Sequence, residues 1–150
     1  MLKHRNRALR NLPAVYFYLP APQRGMGHHE GLAVTEDICA VLYLTELASE
    51  PGSGALQGSV RKAAALTPSR MSTVLTKLVP RFLTCANAPG SRRANRLTLT
   101  AAGKRLLATI KEERAAFLDD LFEALTTEEQ GACAAALTTL EATLWRKVPK

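Results

Sequence analysis

The chain has 150 residues, 20 Lys+Arg against 13 Asp+Glu, and a formal net charge of +7 at pH 7. That length supports a compact domain with its own core, and 47% hydrophobic residues exclude a wholly disordered chain. Cys39, Cys85 and Cys133 stand too far apart for a disulfide scaffold, a zinc ribbon or a CxxC redox motif.

The N-terminal stretch is basic through Lys3, Arg5, Arg7 and Arg10, then apolar from Leu12 to Leu19. The longest candidate for a membrane span, Leu12 to Ala21, is interrupted by Pro13 and Pro20 and far too short, and no signal-peptide cleavage site follows it. One short helix ending near Leu19 is expected, then a Pro/Gly-rich linker from Pro20 to Gly31. His28-His29-Glu30 reads as part of that linker rather than as a metal site. A soluble, cytoplasmic protein without a membrane partner or a cofactor is expected.

Thr35 is a suitable N-cap, with Glu36 and Asp37 in the first turn where the helix dipole favours acids. Ile38, Val41 and Leu42 then recur at helical spacing, and Pro51-Gly52-Ser53-Gly54 ends this helix. A shorter helix follows over about Gln57 to Ala64. Thr67-Pro68 pairs an N-cap with proline at the first helical position, a strong start signal. Met71, Val74, Leu75 and Leu78 form one apolar stripe, and Ser69, Thr73 and Thr76 point away from it. Arg70 and Lys77 flank that outer face on one side and Ser72 on the other, with no carboxylate among them. Small hydroxyls let a helix backbone approach base edges, and long cations reach bases or phosphates. The plainer alternative is an ordinary solvated helix face.

The Ala65-Leu66-Thr67 turn makes these two helices a helix-turn-helix, and Pro80 closes the second. Phe82 to Cys85 and Arg96 to Leu99 are β-prone runs around a Pro89-Gly90 turn tipped by Arg92 and Arg93, a hairpin wing. Arginines at such a tip suit the narrow minor groove. Thr100 caps a long helix to about Leu125, and Thr126-x-x-Glu129 is a capping box opening a last helix to about Val148. Cys133, Leu137, Leu140 and Leu144 share one stripe of it. Two long helices with apolar stripes exceed what the small winged unit can cover, which predicts dimerisation.

Charge placement sharpens this reading. Between Glu50 and Glu112 there is no acid, while Arg61, Lys62, Arg70, Lys77, Arg81, Arg92, Arg93, Arg96, Lys104, Arg105 and Lys111 all fall there. One sign stripped from a central segment points to a polyanionic partner. Charge alone leaves nucleic acid and membrane headgroups both open.

From Ala63 to Leu107 the chain resembles the MarR family of bacterial transcriptional regulators. The resemblance is carried by Leu66-Thr67-Pro68-Ser69-Arg70-Met71-Ser72, by Leu75-x-x-Leu78, by the wing Ala88-Pro89-Gly90-Ser91-Arg92-Arg93, and by Leu97-Thr98-Leu99-Thr100-Ala101-Ala102-Gly103. It extends more loosely over Leu32 to Val148. Ser91 stands where family wings carry an acid, Phe82 where a glycine is usual and Arg61 where a small residue is common. The N-terminal segment is broken by prolines.

The resemblance implies a mainly α (α+β) winged helix-turn-helix protein. Its parts would be an N-terminal dimerisation segment and linker (1–34), a DNA-binding domain (35–100) and C-terminal dimerisation helices (101–150). It implies a homodimeric repressor on a pseudo-palindromic operator of double-stranded DNA, released by a small aromatic effector or an oxidant. Ser69, Arg70, Ser72, Thr73, Thr76 and Lys77 would contact DNA from the recognition helix, Arg81 from the segment after it, and Arg92 and Arg93 from the wing. Tyr16, Tyr18, Tyr43 and Trp145 are the candidate effector-pocket residues, with core packing the plainer reading of each. Cys39 and Cys85 are the candidate redox residues, with inert thiols the plainer reading. The alternative function is a ligand or redox sensor acting through protein or ligand binding, with weakened DNA recognition. An enzyme finds no support: the basic region holds no paired carboxylates, no Gly-rich phosphate loop and no Ser/His/Asp grouping.

Overall fold

A computed structural model describes residues 27–88, 90 and 94–147, without the side chains of 118, 140, 141 and 144–147. The described residues divide into two compact units, one up to residue 110 and one from residue 111 onward. The expected N-terminal helix lies outside the described residues.

The first unit opens with a hairpin where a linker was expected. Strands β1 (His28–His29) and β2 (Leu32–Ala33) pair antiparallel, His28 opposite Ala33 and His29 opposite Leu32. Glu30 and Gly31 between them both have positive φ, 51° and 82°, the backbone of a two-residue turn whose twist matches its strands. Helix α1 (Glu36–Ala48) follows, and the Thr35 hydroxyl accepts the Ile38 N–H at its start. Ile38, Val41, Leu42 and Thr45 are its buried face.

A tight turn at residues 50–54 leads into β3 (Ala55–Leu56), then helix α2 (Gln57–Ala63). Helix α3 (Pro68–Leu78) buries Met71, Val74 and Leu78 as the stripe predicted, and the Thr67 hydroxyl caps it by accepting the Arg70 N–H. Strands β4 (Leu83–Asn87) and β5 (Asn95–Leu99) pair antiparallel from Leu83↔Leu99 to Asn87↔Asn95. β3 adds to the other edge of β5 through Ala55↔Leu97, giving the order β3-β5-β4. Two residues carry too little pattern to be read as a strand in advance.

The core of this unit joins α1, α3, the sheet and the start of helix α4 (Ala101–Glu123) through Ile38, Leu42, Val60, Met71, Leu78, Phe82, Leu97 and Leu107. Burying one such large side chain stabilises the fold by about 1.5–3 kcal/mol. Phe82, which follows α3 where a glycine was expected, belongs to this core at 2% exposure.

In the second unit, α4 ends at Glu123 and helix α5 spans Thr127–Lys147. The capping box forms as read. The Thr126 hydroxyl accepts the Glu129 N–H, and Glu129 Oε2 accepts the Thr126 N–H at 2.8 Å and its hydroxyl at 2.9 Å. Gln130 Nε2 donates to the carbonyls of Phe122 and Leu125, closing the end of α4. None of the helices among the described residues is long and apolar enough to cross a membrane.

Candidate nucleic-acid interface

The turn between α2 and α3 is a Schellman motif. Leu66 N–H donates to Arg61 O, Ala65 N–H donates to Lys62 O, and Ala65 takes a φ of 52°. Arg61 then returns a bond, its Nη1 donating to Leu66 O at 3.0 Å. A long cation at a position where small residues are common thus braces the turn that sets α3.

On α3 itself, Ser69, Arg70, Ser72, Thr73, Thr76 and Lys77 are all exposed. Two of the hydroxyls bond back along the helix, Thr73 to Ser69 O and Thr76 to Ser72 O. The protons of both hydroxyls are thereby taken up by the helix's own carbonyls. Lys77 makes no ion pair among the described residues.

The arginines divide differently from what the charge map suggests. Arg70 pairs with Asp37 of α1, Nη2 to Oδ1 at 2.6 Å and Nε to Oδ2 at 3.0 Å. Arg81 donates to both the carbonyl and the carboxylate of Glu30 in the hairpin turn, at 2.8 and 2.7 Å, and its guanidinium lies 5.0 Å from the Phe82 ring centroid. Arg96 is the least exposed of the three; its Nη1 donates to Gly54 O, Ser53 O, Ser53 Oγ and Glu50 Oε2. Each of these three arginines meets an acid from the segment before it. Arg96 is therefore a strut for the 50–54 turn, and Arg81 is engaged by the hairpin rather than left free. Exposed pairs such as the first two contribute only about 0–1 kcal/mol, so their main effect is on where the guanidinium groups stand.

The sheet and α4 meet at one dense junction. Thr100 N–H donates to Phe82 O, and its hydroxyl donates to Arg81 O at 2.6 Å while accepting the Gly103 N–H at 3.0 Å. A Cβ on residue 103 would collide with Phe82 O. The Leu-Thr-x-x-Gly sequence at 99–103 is thus a cap plus a close approach, and it fixes the wing's base to the exit of α3. Gly54 has a similar constraint, since its Cβ would strike Leu97 O and Thr98 Oγ1.

No protein-family profile matches the chain, and no curated protein matches it by sequence. Solved structures do. The PcaV transcriptional regulator from Streptomyces coelicolor matches with a TM-score of 0.58 and 20% identity, over 95% of this chain and 94% of that one. A MarR transcriptional regulator from Methanosarcina mazei gives 0.61 and 16%, over 97% and 96%. A variant of MepR from S. aureus, bound to an oligodeoxyribonucleotide, gives 0.55 and 19%, over 96% and 93%. The chain has the MarR-type winged-helix fold.

The remaining candidates distribute unevenly over this MarR-type frame. Arg92 and Arg93 lie outside the described residues, as do Tyr16 and Tyr18. Trp145 falls on α5, and its side chain is outside the described set. Tyr43 is half-buried against the core of the first unit. Cys39 is buried; Cys85 is exposed on β4, and its thiol donates to Gln57 Oε1 at 3.6 Å. Arg81, four positions before Cys85, is bonded to Glu30. Sequence reading missed Asp37 and Glu30 as partners of this surface: each lies outside the basic segment, and no short-range pattern links it to its arginine.

Proposed function

We propose that the protein is a DNA-binding transcriptional regulator of MarR type, a homodimeric repressor on a pseudo-palindromic operator, released by a small-molecule effector. The observation that carries this reading is the outer face of α3, where Ser69, Ser72, Thr73, Thr76 and Lys77 stand exposed with no acid of the helix's own. That face suits a major groove: the hydroxyls allow close approach and Lys77 reaches a phosphate. Arg92 and Arg93 of the wing enter the flanking minor groove. Pairing of two copies through α4 and α5 sets the two recognition helices about one helical turn apart.

The fold likeness supports the choice of nucleic acid over other polyanions, since one neighbour, the MepR variant, is bound to an oligodeoxyribonucleotide. PcaV is described in complex with its natural ligand, which supports the effector. Such a ligand acts only by binding two helix spacings with different affinity. Hydroxyl-radical footprinting on duplexes selected from a random pool tests the reading. Two protected patches about one turn apart, with two chains bound per duplex, are expected; a single diffuse patch would overturn the dimeric arrangement. Thermal-shift screening against phenolic acids, antibiotics and peroxide identifies the effector class by a raised melting point.

A further inference from the structure

Asp37 and Arg70 lie 33 positions apart in sequence, on the first turns of α1 and α3. The carboxylate grips the guanidinium along one edge through Nε and Nη2. A guanidinium offers five N–H donors in a rigid plane, so this grip leaves both Nη1 hydrogens and one on Nη2. Two of those donors, one on each Nη, lie side by side at the end of the group, on a free edge next to the gripped one. The Arg70 side chain keeps 59% exposure against 26% for Asp37, so the acid is set back and the free edge is open to water. The Arg70 backbone is fixed as well, by its N–H bond to the Thr67 hydroxyl.

We propose that Asp37 is a specificity-determining positioning residue, holding Arg70 so that its free edge reads a base rather than a phosphate. The inference rests on the DNA-binding reading above. An arginine already neutralised by a carboxylate adds little to counterion release, the sequence-independent part of affinity. Reading guanine O6 and N7 needs the fork in one orientation, and a tethered fork loses less freedom on binding than a free one. Asp37 thus removes generic attraction and adds discrimination.

The test uses the full chain and fluorescence anisotropy on three kinds of duplex across several salt concentrations. These are a duplex selected by the wild type from a random pool, its single-base-pair variants, and random sequence. Asp37→Ala should bind the random duplex more tightly, with a salt slope steeper by about 0.9. Discrimination at one base-pair position should fall by about tenfold, within the range a lost bidentate contact allows. Arg70→Ala should lose discrimination at that same position, and adding Asp37→Ala to it should change that discrimination no further. Asp37→Asn, which keeps the shape and drops the charge, should move the slope in the same direction and serves if the alanine variant folds poorly. An equal gain on selected and random duplexes would make Asp37 a mere brake and overturn the proposal. A lowered melting point with slope and discrimination unchanged would make the pair a structural tie and overturn it too. If the wild type itself fails to distinguish selected from random duplex, the DNA-binding reading falls and takes this inference with it.

Discussion

The backbone carbonyl of Phe82 occupies the space in which a side chain on residue 103 would stand. Thr100 closes the same junction with one bond to Phe82 O and another to Arg81 O. Neither neighbour is the free end of a flexible chain, so the collision cannot be relieved cheaply. Gly103→Ala is expected to destabilise the first unit by about 2–3 kcal/mol, the upper part of the range for overpacking. Thermal melting by circular dichroism measures it, and an unchanged melting point would show that β4 can retreat from α4.

A smaller effect of opposite sign is expected at Ala65. Its φ of 52° is left-handed, and an alanine there carries a steric cost that glycine avoids. The Schellman bonds from Ala65 and Leu66 hold it in place. Ala65→Gly is expected to raise stability by about 0.5–1 kcal/mol, because relief of strain exceeds glycine's extra entropy in the unfolded chain. Urea unfolding with a raised midpoint and an unchanged m-value would confirm it.

These two junctions mark what could be read in advance. Thr67-Pro68 and Thr126-x-x-Glu129 act within three residues, so both helix starts stand where the sequence places them. The stripe Met71, Val74, Leu78 is equally local and buried as expected. The hairpin at 28–33 was hidden because Glu30-Gly31 lacks the Asn-Gly or Asp-Gly signal of such turns. Strand β3 exists only through pairing with β5, some forty positions on. The Asp37–Arg70, Glu30–Arg81 and Glu50–Arg96 pairs are likewise products of the fold. Net charge marked a region but could not separate cations that face outward from cations that hold the unit together.

That separation is measurable. Arg96→Ala removes the two Nη1 donors that the acceptors of the 50–54 turn and its carboxylate share. It is expected to cost about 1–2 kcal/mol of stability while leaving the salt slope of DNA binding unchanged. Lys77→Ala should do the reverse: unchanged melting, uniformly weaker binding across sequences, and a slope shallower by about one. Melting and anisotropy on both variants decide between the two roles.

The capping box of α5 carries a pH dependence. The Thr126 backbone N–H, and then its hydroxyl, favour the charged carboxylate and hold Glu129 below the ordinary glutamate value of 4.5. A depressed native value means this contribution is complete above the unfolded-chain value and is lost as pH falls through the native one. Amide protection in the first turn of α5 should therefore decline below about pH 4.5. Glu129→Gln keeps the geometry without the titration, and hydrogen exchange on it should show a flat profile over that window.

The central claim is that the exposed face of α3 reads DNA sequence. Competition binding at physiological salt, comparing a duplex selected by the full chain with random-sequence duplex, tests it most directly. We expect the selected duplex to bind on the order of 10³-fold more tightly or better, as specific regulators do. A ratio near one, with affinity set only by salt concentration, would contradict the account and reduce the basic segment to generic attraction.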